Sequence, residues 1–171
     1  MMTKVLNLFA IVAIALNLAG CGGNDPASTE SAANDAPPPA DQSEGVVRAD
    51  TGRIAAELIA TPGKIQPDGR VRINVVNHGA RALEFGRSFT VEKWDGESWV
   101  ETRESLNAMW TMDLLFVEPG TTGEEQTWPF LPGQRPDPGW YRISQRVSAD
   151  PPDPDGNPIS LTIRTRVEVR E

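Results

Sequence analysis

A chain with one cysteine and one histidine has few ways to build a nucleophile or hold a transition metal. A Ser-His or Cys-His pair would have to use His78, and a His-rich metal site cannot be assembled from a single imidazole. His78 lies in Asn77-His78-Gly79, a turn sequence, and reads as an exposed turn residue. Carboxylates are the plentiful resource: the 24 acidic residues keep a hydrolase built on paired carboxylates open as one alternative. Their densest group, Asp150-Pro151-Pro152-Asp153-Pro154-Asp155-Gly156-Asn157, sets oxygen ligands at alternate positions, as a calcium loop does. An EF-hand, however, needs glycine after its third ligand and glutamate six residues further on. Here Pro158 and Arg164 occupy those places, so the segment reads as a turn, and no metal or cofactor is expected.

The cysteine has a clearer chemistry. Lys4 and the N-terminal amine precede an apolar stretch, Val5 to Leu18, which ends in Leu18-Ala19-Gly20-Cys21. These are the parts of an export signal, and the stretch falls short of the roughly twenty residues that a membrane span requires. No second cysteine exists for a disulfide. The motif resembles a lipobox, and the resemblance implies cleavage between Gly20 and Cys21, diacylglycerol on the Cys21 thiol, and further acylation of its new amine. Two or more acyl chains suffice for stable attachment. Residues 1–20 are thus expected to be a cleaved signal peptide, and the protein to sit on the cell membrane or outer membrane, facing the periplasm or exterior. Gly22 stands where aspartate is associated with inner-membrane retention.

Residues 21–49 change composition to Pro, Ala, Ser, Asp and Glu with almost no apolar period. Such a stretch buries too little surface to offset its ordering entropy, so a disordered tether with a reach of roughly 30 Å is expected. The net charge of −8 becomes more negative once Lys4 is removed, which disfavours nucleic acid as a partner.

Residues 50–171 are enough for one domain with its own core. Their pattern is two-residue alternation broken by frequent turns, the mark of an antiparallel all-β fold. Ile54–Thr61, Arg70–Val76, Ala82–Phe85, Phe89–Trp94, Trp99–Thr102, Leu114–Val117, Glu124–Trp128 and Trp140–Val147 are candidate strands. A long last strand puts Ile159, Leu161, Ile163, Val167 and Val169 on one face and Arg164, Arg166, Glu168 and Arg170 on the other. That charged row reads as a solvated or edge-protecting face.

Asp95-Gly96 marks a hairpin whose register decides where Trp94 and Trp99 point. A two-residue loop sets Glu92 opposite Trp99. A four-residue loop sets Trp94 opposite Trp99 but brings Glu92 against Glu101, a like-charge cost close to the gain of the aromatic pair. Turn chemistry favours the shorter loop.

The strands Pro67–Asn77 and Phe89–Trp99, the turn Glu118-Pro119-Gly120 and the step Pro138-Gly139-Trp140-Tyr141-Arg142 resemble, in order, bacterial immunoglobulin-like domains of surface lipoproteins. The resemblance covers roughly residues 52–148. It implies a single antiparallel β-sandwich of about seven strands without catalytic machinery, and places Tyr141 where a tyrosine corner would sit. The layout is also similar to the bacterial intracellular proteinase inhibitor family. Antibody-type domains differ in carrying a Cys…Trp…Cys core, absent here.

The expected function is a non-enzymatic, membrane-anchored lipoprotein presenting an interaction or scaffold module, monomeric, with an envelope protein or surface ligand as partner. The rival is an envelope protease inhibitor offering the loop Gly133–Gly139 or Asp150–Pro158. The richest apolar stretch, Ala108–Phe116, reads first as buried core. As a partner surface, its best candidates are Met109, Trp110 and Met112, since Trp and Met are enriched at interfaces.

Overall fold

Alternation along the strands is what divides this chain between two layers. A computed structural model describes residues 37–42, 44–49, 53–129, 133–153 and 155–171, and Gly20-Cys21, where cleavage and lipidation are expected, lies outside them. The elements are β1 (Val47–Ala49), β2 (Ile54–Thr61), β3 (Lys64–Ile65), β4 (Val71–Asn77), β5 (Ala82–Gly86), β6 (Thr90–Trp94) and β7 (Trp99–Glu101). After a short helix α1 (Arg103–Leu106) come β8 (Leu114–Val117), β9 (Gln126–Trp128), β10 (Gly139–Asp150) and β11 (Ser160–Val169).

One sheet has the order β1-β2-β4-β9 and the other β3-β11-β10-β5-β8, with β6 on β10 and β7 on β6. The 12-residue β10 organises the second sheet. One of its edges takes β11 along its length, and the other is shared in succession by β6 and β5. Val71, Ile73 and Val75 of β4 point inward with Ile54 and Leu58 of β2, and meet Leu83, Val91, Ile143, Val147, Ile163 and Val167 of the opposite sheet. Each such side chain is worth about 1.5–3 kcal/mol when taken from water. This is the immunoglobulin-like sandwich expected from the pattern.

Asn77 closes β4 and pins the turn that follows. It is fully buried. Its side-chain amide donates to the carbonyls of Arg81 (2.8 Å) and Val117 (2.9 Å), and its Oδ1 accepts from Gly79 N (2.9 Å). Gly79 must be glycine here, because a Cβ would lie 2.6 Å from the carbonyl oxygen of Arg53. What reads as a plain turn is thus an interior knot joining β4, the Asn77–Arg81 turn and β8.

The hairpin takes the longer loop, contrary to expectation. Trp94 pairs with Trp99, and Glu92 with Glu101. Asp95 Oδ1 accepts from the amides of Glu97 and Ser98, closing the turn, and Gly96 adopts φ 107°. The indole rings meet at 5.3 Å. The acid pair costs little because Arg142 forks onto Glu92 at 2.7 and 2.8 Å, while Glu101 accepts from Ser105 Oγ. Neither neighbour is visible from the hairpin's own sequence.

The folded unit also begins earlier than residue 50. β1 pairs with β2, and residues 37–42 and 44–46 lie as a strap against β11: Pro38 is buried, and Glu44 forms a parallel bridge to Arg164. Asp41 reaches Arg142 (3.1 Å) and Arg164 (3.4 Å), and Glu44 reaches Arg166 (2.7 Å). Arg164 and Arg166 of the charged row on β11 are therefore met by the strap, while Glu168 pairs with Lys64 and with Arg170, which stays exposed. A three-residue strand and ion pairs spanning over a hundred residues carry no local period, so a reading by composition extends the tether too far.

Candidate functional site

Two features of the second sheet's surroundings stand out. One is an apolar face and the other a small polar concavity.

The apolar face begins at α1, whose N-cap Thr102 accepts from Ser105 N at 3.2 Å. Ser105 Oγ in turn accepts from Val91 N at 3.1 Å, which fixes the helix to β6. Residues 107–113 then cross to β8. Of the stretch expected to be core, Trp110 and Leu115 turn in, Trp110 packing at a tilt on Phe89 with ring centroids 4.9 Å apart. Met109 and Met112 are fully exposed, at 98% and 101%. β8 continues the face. It forms an edge of the sheet, and its Leu114 and Phe116 are 53% and 56% exposed, although their sequence reads as a fully buried strand. Of the candidate partner residues, Met109 and Met112 are thus exposed and Trp110 packs inward, while Leu114 and Phe116, which sequence reading assigned to the core, add exposed apolar surface on β8. Beside them a groove of about 490 Å³ is lined by Arg103, Glu104, Asn107, Met109, Trp110 and Gln134.

The polar concavity holds about 240 Å³ between Lys93, Glu104, Trp128, Gln134, Asp137 and Tyr141. Trp128 and Tyr141 pack at 4.9 Å, and the Tyr141 hydroxyl donates to the carbonyl of Asp137 at 2.9 Å, four residues back. That bond is the geometry of a tyrosine corner. Burial, aided by the fields of Asp137 and Glu104, pushes the phenol well above its ordinary range. The two carboxylates here are open to water: Glu104 is exposed, and the Asp137 side chain is 87% exposed with Lys93 at 3.8 Å.

A family model described as a bacterial Ig-like domain matches residues 59–164, from within β2 to within β11. The chain belongs to the bacterial Ig-like domain family. A comparison with curated proteins finds no match.

Ig-like domains of this kind are a non-catalytic type and serve as scaffold or interaction modules. The remaining candidate residues fit structural duties within the Ig-like frame. His78 pairs with Glu57 at 2.9 Å beside the Asn77 knot. In the Asp150–Pro158 loop, Asp153 accepts from the backbone and side-chain nitrogens of Asn157 at 2.7 and 3.2 Å. These bonds hold its carboxyl below the usual range, with the backbone amide of Asn157 the main cause. Gln134 to Asp137, in the other loop considered for protease inhibition, line the concavity above Tyr141. Lys93, Trp128 and Arg142 were missed as contributors to surface sites. Only Arg142 had a usable signal, because an arginine on the outer face of a strand between two other strands must find its acids across the sheet.

Proposed function

We propose that the chain is a lipid-anchored protein of the cell envelope that presents its Ig-like domain as a non-enzymatic interaction module. The single observation that carries the binding role is the exposure of four large apolar side chains, Met109, Met112, Leu114 and Phe116, within one short stretch of chain. Large exposed apolar patches mark interaction surfaces on soluble domains. Two methionines supply a soft, adaptable contact and Trp110 a fixed backing for it. The anchor rests on the sequence Leu18-Ala19-Gly20-Cys21 and its apolar lead, with Cys21 carrying the lipid.

The two parts are tested separately. Mass spectrometry of the mature N-terminus reads the anchor: a diacylglyceryl-modified Cys21 is expected, and an unmodified cysteine or a retained Met1 refutes it. Photo-crosslinkers at positions 109 and 112, compared with one at the exposed Arg70 on the other sheet, read the binding face in the native envelope. Discrete crosslinked products at 109 and 112 but not at 70 are expected; equal, diffuse products at all three refute the assignment.

A further inference from the structure

The strap over β11 has the form of an occupant rather than of an integral strand. β11 is laddered to β10 along one edge from Ser160 to Val169, whereas its other edge is paired with β3 only at Glu168 and Val169. Among the described residues, the rest of that edge meets the backbone of Glu44 through one parallel bridge to Arg164. Such an edge is the platform on which extended peptides add as an extra strand.

Charge gives the platform its chemistry. Arg142 and Arg166 are direct cross-strand partners, a like-charge opposition that needs compensation. Arg142 is compensated within the sheet by the Glu92 fork and by stacking on Trp99 at 4.8 Å. Arg166 is met by the strap, through Glu44 at 2.7 Å and the Pro38 carbonyl at 2.8 Å. Arg164 takes Asp41 at 3.4 Å. The strap therefore offers an acid and a second acid three residues on, held together by a turn in which Glu44 N donates to the Asp41 carbonyl at 3.0 Å.

Its fit is incomplete. Glu44 uses one carboxylate oxygen on Arg166, and its other, Oε1, is buried with no hydrogen-bond partner among the described residues. A buried acceptor left unsatisfied is penalised, so this occupant is held less firmly than the surface allows. Ion pairs spread over a partly exposed face are also individually weak.

We propose that the outer edge of β11, with Arg164 and Arg166, is a docking site for an acidic peptide of another protein, kept closed by the chain's own Pro38, Asp41 and Glu44. The site is chemically distinct from the apolar face, and neither the anchor nor that face enters the argument. The strap competes as a tethered ligand, so its local concentration suppresses binding from solution until it is displaced.

The test uses the full chain and a dye-labelled peptide of residues 37–46 as the probe, read by fluorescence anisotropy. In Asp41→Asn/Glu44→Gln the strap loses its charges, and the probe is expected to bind about tenfold or more tighter than to the wild type, weakening with salt. Adding Arg164→Gln/Arg166→Gln to that variant should remove the binding. Equal affinity for wild type and released variant, no binding to a released variant with native near-ultraviolet dichroism, or binding that survives loss of both arginines overturns the proposal. Should the released variant not fold, hydrogen exchange on the wild type decides. Amides of residues 44–46 should exchange at least about tenfold faster than those of β10 and β11 through local opening, and exchange only by global unfolding overturns it.

Discussion

Asn77 supports the most direct test of the packing argument, because all three of its side-chain hydrogen bonds are inside the protein. Replacing it with alanine removes three bonds worth about 1 kcal/mol each and leaves the Val117 carbonyl without its amide donor, so a loss of about 3–4 kcal/mol is expected. For a folded unit of this size that corresponds to a fall in Tm of roughly 10–15 °C. Asn77→Asp is the sharper perturbation. It keeps the shape and the acceptor for Gly79 N, but turns a carboxylate oxygen toward the carbonyls of Arg81 and Val117, where an amide had donated. The ionised form is then disfavoured in the fold, and the introduced carboxyl's pKa is raised above its unfolded value of about 3.9. Between those two values the native state binds more protons than the unfolded chain, so stability falls as pH rises and recovers as pH is lowered toward 4. Urea unfolding followed by the emission of the five tryptophans, at pH 7 and pH 5, measures both effects. The aspartate variant should be the less stable of the two at pH 7 and gain on the alanine variant at pH 5. An alanine variant losing under about 1 kcal/mol, or an aspartate variant with no pH dependence relative to it, would refute the reasoning.

Tyr141→Phe keeps the ring against Trp128 and deletes only the bond to the Asp137 carbonyl, so a loss of about 1 kcal/mol in urea unfolding is expected, with an unchanged near-ultraviolet spectrum. Gln126 is buried on β9 with neither amide atom hydrogen-bonded among the described residues; Gln126→Leu should raise stability by about 1–2 kcal/mol, and a lowered Tm would show that the amide is satisfied in solution. Asp95, Asp113, Asp153 and Glu168 are held below their ordinary pKa values, chiefly by Ser98 N, Arg87, Asn157 N and Arg170 respectively. Depressed carboxylates stabilise the fold above their unfolded pKa and lose that contribution as pH falls through the folded value, so Tm should decline below about pH 4. Asp95→Asn and Asp153→Asn together should flatten that acid limb in thermal melts between pH 6 and pH 2, and an unchanged limb would count against these bonds.

Strand identity was legible wherever alternation ran for several residues: β2 and β8 begin and end where the sequence places them, and the inward set of β11 is the one its period names. What could not be read locally was anything settled by a distant partner. The hairpin register turned on Arg142 and Ser105, which relieve Glu92 and Glu101 from outside the hairpin. The strap is held by arginines more than a hundred residues away, and β1 by its pairing with β2. The apolar content of β8 signalled burial, yet hydrophobicity does not say whether a strand lies at a sheet's edge or centre, and here position won. Of the candidate surface, Met109, Trp110 and Met112 were legible from composition, whereas Leu114 and Phe116 required the sheet order.

The acids flanking β8 add a discrimination between self and other. Were two copies to zip along this edge in antiparallel fashion about its middle, Leu114 would face Val117 of the other copy, and Asp113 would fall opposite Glu118 at both ends. Identical chains would thus meet acid on acid, with a net charge of −8 on each to deepen the mismatch. Crowding would not readily turn this apolar edge into a nucleus for aggregates. A foreign strand with lysine or arginine on either side of its apolar residues would meet complementary charge at both ends instead. An edge that looks like a liability is selective because of the residues that frame it.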